Sequence, residues 1–169
     1  MPPLPPDDTP PDVEHVPGQE VAGDFAARGT LMIEVESYER LVEGLKVAAD
    51  GARHMATHRH TDLWNRVADV FDKTRVAAVR LAGRERPGDA EPTRPKLYGT
   101  GLNPKEAIDR VTTGLRNAHG ASRQLATCFR GDVRWSIFAQ QFNQLRDKAI
   151  QLSRPVTGKP LGVGYGQVQ

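Results

Sequence analysis

The chain holds a single cysteine, Cys128, and aromatic side chains make up only 6% of its 169 residues. One thiol excludes an intramolecular disulfide and any multi-cysteine metal centre, and it fits a reducing compartment. Apolar residues reach just 38%. No run of them approaches the roughly eighteen needed to cross a bilayer, so no membrane segment is expected. The opening Met1-Pro2-Pro3-Leu4-Pro5-Pro6 has neither the basic nor the apolar region of a secretory signal. The expected location is the cytoplasm, or the inside of a larger intracellular or particle assembly. Catalytic signatures are missing as well. No Glu-x-x-His occurs, which removes the di-iron carboxylate pattern of helical bundles. Gly-x-Ser-x-Gly is absent, and the Gly-rich segment 158–166 lacks the Lys-Ser/Thr ending and following helix of a phosphate loop. Cys128 stands in the second half of an expected helix, far from an N-terminus that would activate its thiolate. The sequence therefore calls for no catalytic residue and no cofactor.

Glycine and proline are plentiful, at 16 and 13 residues, but they gather at the two ends. Seven prolines fall within residues 1–29, which read as an extended, acidic, Pro-rich arm. Residues 155–169 read as an extended Gly/Pro-rich tail. Charge is also uneven: residues 1–50 carry a net −8 and residues 51–169 a net +10, for +2 in all. Such a split suits a polyanionic partner, self-association of opposite patches, or an acidic arm neutralising a basic body within one molecule.

Residues 30–154 read as the folded body. Its clearest part is a helical hairpin. Asn103-Pro104-Lys105-Glu106 offers an N-cap, a proline at the first helical position and a capping-box glutamate. From there Ile108, Val111, Leu115, Ala118, Ser122, Leu125 and Phe129 recur at alternating steps of three and four, the seam of an amphipathic helix. Gly131-Asp132 supplies a stop and a restart, and Phe138, Phe142, Leu145, Ala149 and Leu152 repeat the pattern. Upstream, Tyr38, Leu41, Val42, Leu45, Ala48, Ala49, Ala52 and Met55 mark another helix, and Trp64, Val67, Ala68, Phe71, Ala78 and Leu81 a further one that restarts at Thr61-Asp62. Within it Asp69 and Lys73 form a favourable i,i+4 pair, while Asp62, Asp69 and Asp72 spread around the helix without converging. The expectation is an all-α, antiparallel four-helix bundle with helices near 31–58, 61–84, 104–130 and 133–153. Prolines 87, 92 and 95 forbid a helix across residues 86–103, leaving a long loop that is either a functional arm or a crossover.

The candidate functional residues follow from this frame. His54 and His58, spaced i,i+4, are the candidate metal ligands. On a helical wheel they lie about 140° and 100° from Leu41, off the core direction, with no carboxylate motif to complete a site. Arg116, Arg123 and Arg130 recur every seven residues as a basic stripe, and Arg80, Arg84 and Arg86 cluster at a helix end. Together they are the candidate contacts to nucleic acid or to a partner, and a solvated flank has the same pattern. Gln140 and Gln144 belong to a polar, nearly uncharged face that is cheap to desolvate. With Leu4, Tyr98, Leu161, Val163 and Tyr165 they are the candidate protein contacts, the C-terminal three being spaced for an extended segment laid on a partner. The run Glu36-Ser37-Tyr38-Glu39-Arg40-Leu41 in a first helix, with a basic four-helix body, resembles the four-helix accessory proteins that bind nucleic acid beside retroelement reverse transcriptases. The likeness covers six residues and the architecture, and the long loop and both tails depart from it. Three functions follow. The leading one is a non-catalytic structural subunit that binds other proteins in a homo- or hetero-oligomer. A nucleic-acid-binding accessory bundle comes second, and a metal-dependent enzyme around His54 and His58 third.

Overall fold

The computed structural model describes residues 17–58 and 62–154, with side chains from Leu31 onward. Four helices pack against each other, and no strand occurs among the described residues: α1 (Pro17–Ala56), α2 (Leu63–Ala82), α3 (Pro104–Cys128) and α4 (Arg134–Ser153). Internal contacts divide the chain into residues 1–36 and residues 37–169, and the bundle belongs to the second unit.

Helix α1 corrects the expected start at residue 31. It begins at Pro17 and runs 40 residues. Six of the seven prolines of the N-terminal stretch precede Pro17, so residues 18–29 contain no proline, although Gly18, Gly23 and Gly29 weaken the helix there. Proline itself fits a first helical position, where its missing N–H is no loss. The expected arm over 1–29 thus overlaps a helix from 17 onward, and residues 1–16 and 155–169 lie outside the described residues.

Helix α2 ends at Ala82, close to the expected end near 84, and a glycine closes it. Gly83 takes a left-handed conformation (φ 70°) and its N–H returns to the Val79 carbonyl at 3.2 Å. Helix α3 starts with the expected capping box. The Glu106 N–H donates to Asn103 Oδ1 at 2.8 Å, and the Asn103 N–H to Glu106 Oε1 at 3.3 Å. Two otherwise orphaned donors are thereby satisfied, and the negative carboxylate sits at the positive end of the helix.

One continuous core is drawn from all four helices, with Leu41, Leu45, Met55, Trp64, Phe71, Leu115, Leu125, Trp135 and Phe142 among its buried members. Side chains of α1 and α3 are small where the two helices meet. A Cβ added to Gly44 would stand 2.7 Å from the Gly114 carbonyl oxygen and 3.1 Å from the Ala118 nitrogen. One added to Gly51 would stand 2.6 Å from the Ala107 carbonyl oxygen. The two backbones therefore touch, and many weak dispersion contacts replace the few made by larger side chains. At the α3–α4 corner the packing is aromatic: Phe129, Trp135, Phe138 and Phe142 follow one another at centroid distances of 6.2, 5.7 and 6.0 Å. Trp135 and Ala139 are buried although the seam read from α4 omitted them, while Phe138, Leu145 and Leu152 are only partly buried. The buried face of α4 is thus turned from the one expected.

Candidate functional site

The residues 86–103 that read as a loop are wired into the bundle by buried charge. Arg75, fully buried on α2, donates to the carbonyl oxygens of Asp89 and Glu91 and to Asp72 Oδ1. Asp72, also buried, receives the Thr93 N–H at 2.9 Å and the Thr93 hydroxyl at 2.8 Å on its other oxygen. Arg53 of α1 closes the cluster. It donates to Thr93 through its Nε and Nη2, to the Asn65 carbonyl and side chain through Nη1, and to Asp69 Oδ1 at 2.8 Å. Asp69 and Asp72 therefore do converge, on one guanidinium of the neighbouring helix, and Asp69 takes Arg53 as its partner. Buried ions are tolerated here because nearly every donor and acceptor is matched.

A second anchor lies beside it. The Tyr38 hydroxyl donates to Asp89 Oδ2 at 2.6 Å, Arg86 donates to the same carboxylate through its backbone N–H and its guanidinium, and the guanidinium rests 5.5 Å above the Tyr38 ring. Burial pushes the Asp89 carboxyl up, but the Arg86 and Tyr38 hydrogen bonds outweigh it and hold the group at about 2. Burial and the neighbouring Asp89 carboxylate raise the Tyr38 phenol. Arg86 also pairs with Glu39 at 3.0 Å. Of the six arginines proposed as an outward basic surface, Arg86 is thus engaged within the fold.

The two candidate metal ligands serve the same loop. His54 Nδ1 accepts the Leu102 N–H at 3.1 Å, which puts the neutral ring's proton on Nε2, facing Asp50 at 3.4 Å. His58 Nε2 donates to the Leu102 carbonyl at 2.5 Å. Gly101 takes φ 86°, and a Cβ there would overlap the His54 ring, so only glycine lets the chain pass. Thr57 adds two further contacts, its hydroxyl donating to the Thr100 carbonyl at 2.9 Å and its own carbonyl accepting the Gly99 N–H at 2.7 Å. Burial lowers the His54 pKa; Asp50 opposes that shift, and Lys96, Arg110 and His58 reinforce it. Among the described residues no group of His, Cys, Asp and Glu is arranged to hold a metal ion.

Three open surfaces remain. Arg116, Arg123 and Arg130 are all exposed along α3. Arg123 lines a polar cleft of about 470 Å³ between α3 and α4 with His119, Thr127, Ser136, Gln140 and Asn143. Arg123 of the basic stripe and Gln140 of the uncharged polar face of α4 thus share one cleft, which Arg116, Arg130 and Gln144 do not line. His119 is oriented there by its Nδ1–H, which donates to the Ala139 carbonyl at 2.9 Å. At the end of α2, Arg80 is exposed and Arg84 half-buried. Leu97 and Tyr98 stand exposed on the loop.

The third surface is an apolar groove between α2 and α4. Lys73, Thr74, Ala77, Ile137, Phe138 and Gln141 line a cleft of about 420 Å³ along it. Val70, Gln144, Leu145 and Lys148 continue it into a further 270 Å³. Val70 is 45% exposed and Ile137 50%. Val70, an apolar residue of α2, is thus half open to solvent. Leu4, Leu161, Val163 and Tyr165 lie outside the described residues. Among the described residues no helix is long and apolar enough to cross a membrane. No family model, no curated protein and no solved structure matches the chain.

Proposed function

We propose that this chain is a non-catalytic assembly subunit, an antiparallel four-helix bundle that binds other protein subunits through the α2/α4 groove. The observation that carries the proposal is the groove itself: Val70 and Ile137 half exposed above Phe138 and Leu145, with Lys73 and Lys148 at the rim. Covering β-branched side chains removes apolar area from water at about 25 cal/mol per Å² and strands no polar group. Gln141 and Gln144 keep the groove wettable when it is empty and can hydrogen-bond across an interface when it is filled. Exposed Tyr98, together with Leu4, Leu161, Val163 and Tyr165, provides further contacts in this reading. The antiparallel arrangement is supported by the pairing of Gly44 with Gly114 and of Gly51 with Ala107, since positions rise along α1 as they fall along α3.

A second reading, binding to nucleic acid, is favoured by one specific observation. Arg116, Arg123 and Arg130 are exposed and, among the described residues, have no acidic partner. If all three neutralise phosphates of duplex DNA, log K should fall against log salt with a slope of roughly −2.7.

Size-exclusion chromatography with light scattering and absorbance at 260 and 280 nm, on protein purified at low salt without nuclease, separates the two. The assembly reading expects protein free of nucleic acid, as a clean monomer or a symmetric oligomer. A monomer that carries nucleic acid at low salt and sheds it at high salt refutes that reading and establishes the second.

A further inference from the structure

We propose that the α2/α4 groove receives the acidic first half of α1 from a second copy of this chain. The proposal rests on the assembly reading and names its partner.

Length comes first. Helix α1 has 40 residues, whereas α2 and α4 have 20 each. Its residues 17–36 are helical for about 30 Å at 1.5 Å per residue, enough to span the stretch of α4 from Arg134 to Lys148 that lines the groove, about 21 Å. Charge comes second. Residues 17–36 carry Glu20, Asp24, Glu34 and Glu36 against Arg28 alone. The groove offers the opposite sign: Lys73 and Lys148 are exposed and, among the described residues, have no acidic partner, while Arg134 is already held by Asp132 at 2.8 Å. Complementary charge steers such an encounter and fixes its register more than it adds affinity. Apolar surface comes third. Leu31, Met32 and Ile33 are 51, 62 and 48% exposed on α1. Three consecutive helical positions fan over about 200°, so more than half of the possible approach faces of this helix bring at least one of them into the groove. An amphipathic helix in an apolar groove is a recurrent mode of recognition, and here one chain carries both halves.

Sedimentation velocity on the full chain over a wide concentration range tests the idea. The expected result is a mass above the monomer that grows with concentration. Met32→Glu, which spoils the arm, and Ile137→Glu, which spoils the groove, should each leave a monomer with unchanged helical circular dichroism. Mixing the two variants should restore association, because one still has a sound groove and the other a sound arm. Lys148→Glu should weaken self-association at least tenfold, and adding Glu36→Lys should recover part of that loss. A wild-type chain that is monomeric at every concentration, or variants that do not complement each other, overturns the proposal. If that monomer binds an unrelated protein that Ile137→Glu releases, the second-copy partner is wrong and the assembly reading stands. If it binds only nucleic acid, both fall.

Discussion

Replacing Gly114 by alanine puts the closest helix contact under direct strain. Its new Cβ would press on the Gly44 carbonyl oxygen and stand 2.7 Å from the Ala48 nitrogen and 3.0 Å from the Ala48 Cβ. Two of these atoms are backbone, so relief requires α1 and α3 to move apart rather than a side chain to turn. Overpacking of this kind costs about 1–3 kcal/mol. Against it stands the helix propensity of alanine over glycine, worth about 1 kcal/mol. The net loss should be up to about 2 kcal/mol, lowering the melting temperature by up to roughly 8 °C for a chain of this size. Gly120, six residues along the same helix, supplies the control. A Cβ there would meet only the Arg40 Nη2, 3.3 Å away at the tip of a flexible side chain. Gly120→Ala should therefore show the propensity gain alone and be neutral or stabilising. Urea titrations followed by circular dichroism at 222 nm compare the two with the parent. Equal stabilisation by both substitutions would falsify the backbone contact between α1 and α3.

Two further outcomes test the buried polar clusters. Asp72→Asn leaves Arg53 and Arg75 without their shared buried carboxylate and should cost about 3–5 kcal/mol, read as a lower urea midpoint. A loss below about 1 kcal/mol would mean that Arg75 is solvated rather than enclosed. For His54 the sign follows from its lowered pKa. The fold selects the neutral ring, so its contribution is complete above the ordinary value of 6.5 and drains away as pH falls below it. Protection of the Leu102 amide, measured by hydrogen exchange and corrected for the intrinsic rate, should fall over that acid range, and His54→Phe should abolish the dependence.

The parts of the fold that could be read from sequence are those held by local chemistry or by apolar periodicity. Asn103 and Glu106 form their capping box as read, and Ile108, Val111, Leu115, Ala118, Ser122 and Leu125 are all buried. The stop at Gly83 is there too. What could not be read is the seating of the 86–103 segment, because its anchors are charged residues in positions that pattern reading assigns to solvent. A signal was nonetheless present. Arg75 is four residues after Phe71 and three before Ala78, which is a seam slot filled by an arginine. Phe71, Arg75 and Ala78 are all fully buried. An ion in such a slot needs a partner from elsewhere in the chain, and the polar loop that follows is the nearest supply. His54 and His58 stand out in the sequence, but the i,i+4 spacing that suits a metal also suits hydrogen bonds to the N–H and the carbonyl of one residue, Leu102. The groove was harder still: Ile137 stands on the polar face of α4 with Gln141, Gln144 and Lys148, and only the packed structure shows that it and Val70 wall adjoining clefts.

The enclosed ions also act as a gauge of alignment. Aliphatic surfaces such as those of α1 and α2 can pack in more than one register, since one apolar residue resembles the next. The charged cluster has no such tolerance. Arg53 belongs to α1, Asp72 and Arg75 to α2, and Thr93 to the segment that follows. A slip of α1 along α2 by one turn, about 5.4 Å, would carry the Arg53 guanidinium away from Asn65, Asp69, Asp72 and Thr93 and leave a buried charge unmatched. The penalty falls on every misaligned arrangement and spares the native one, so this cluster's main effect is on uniqueness. The apolar core makes the helices gather, and the ions decide at which notch they lock.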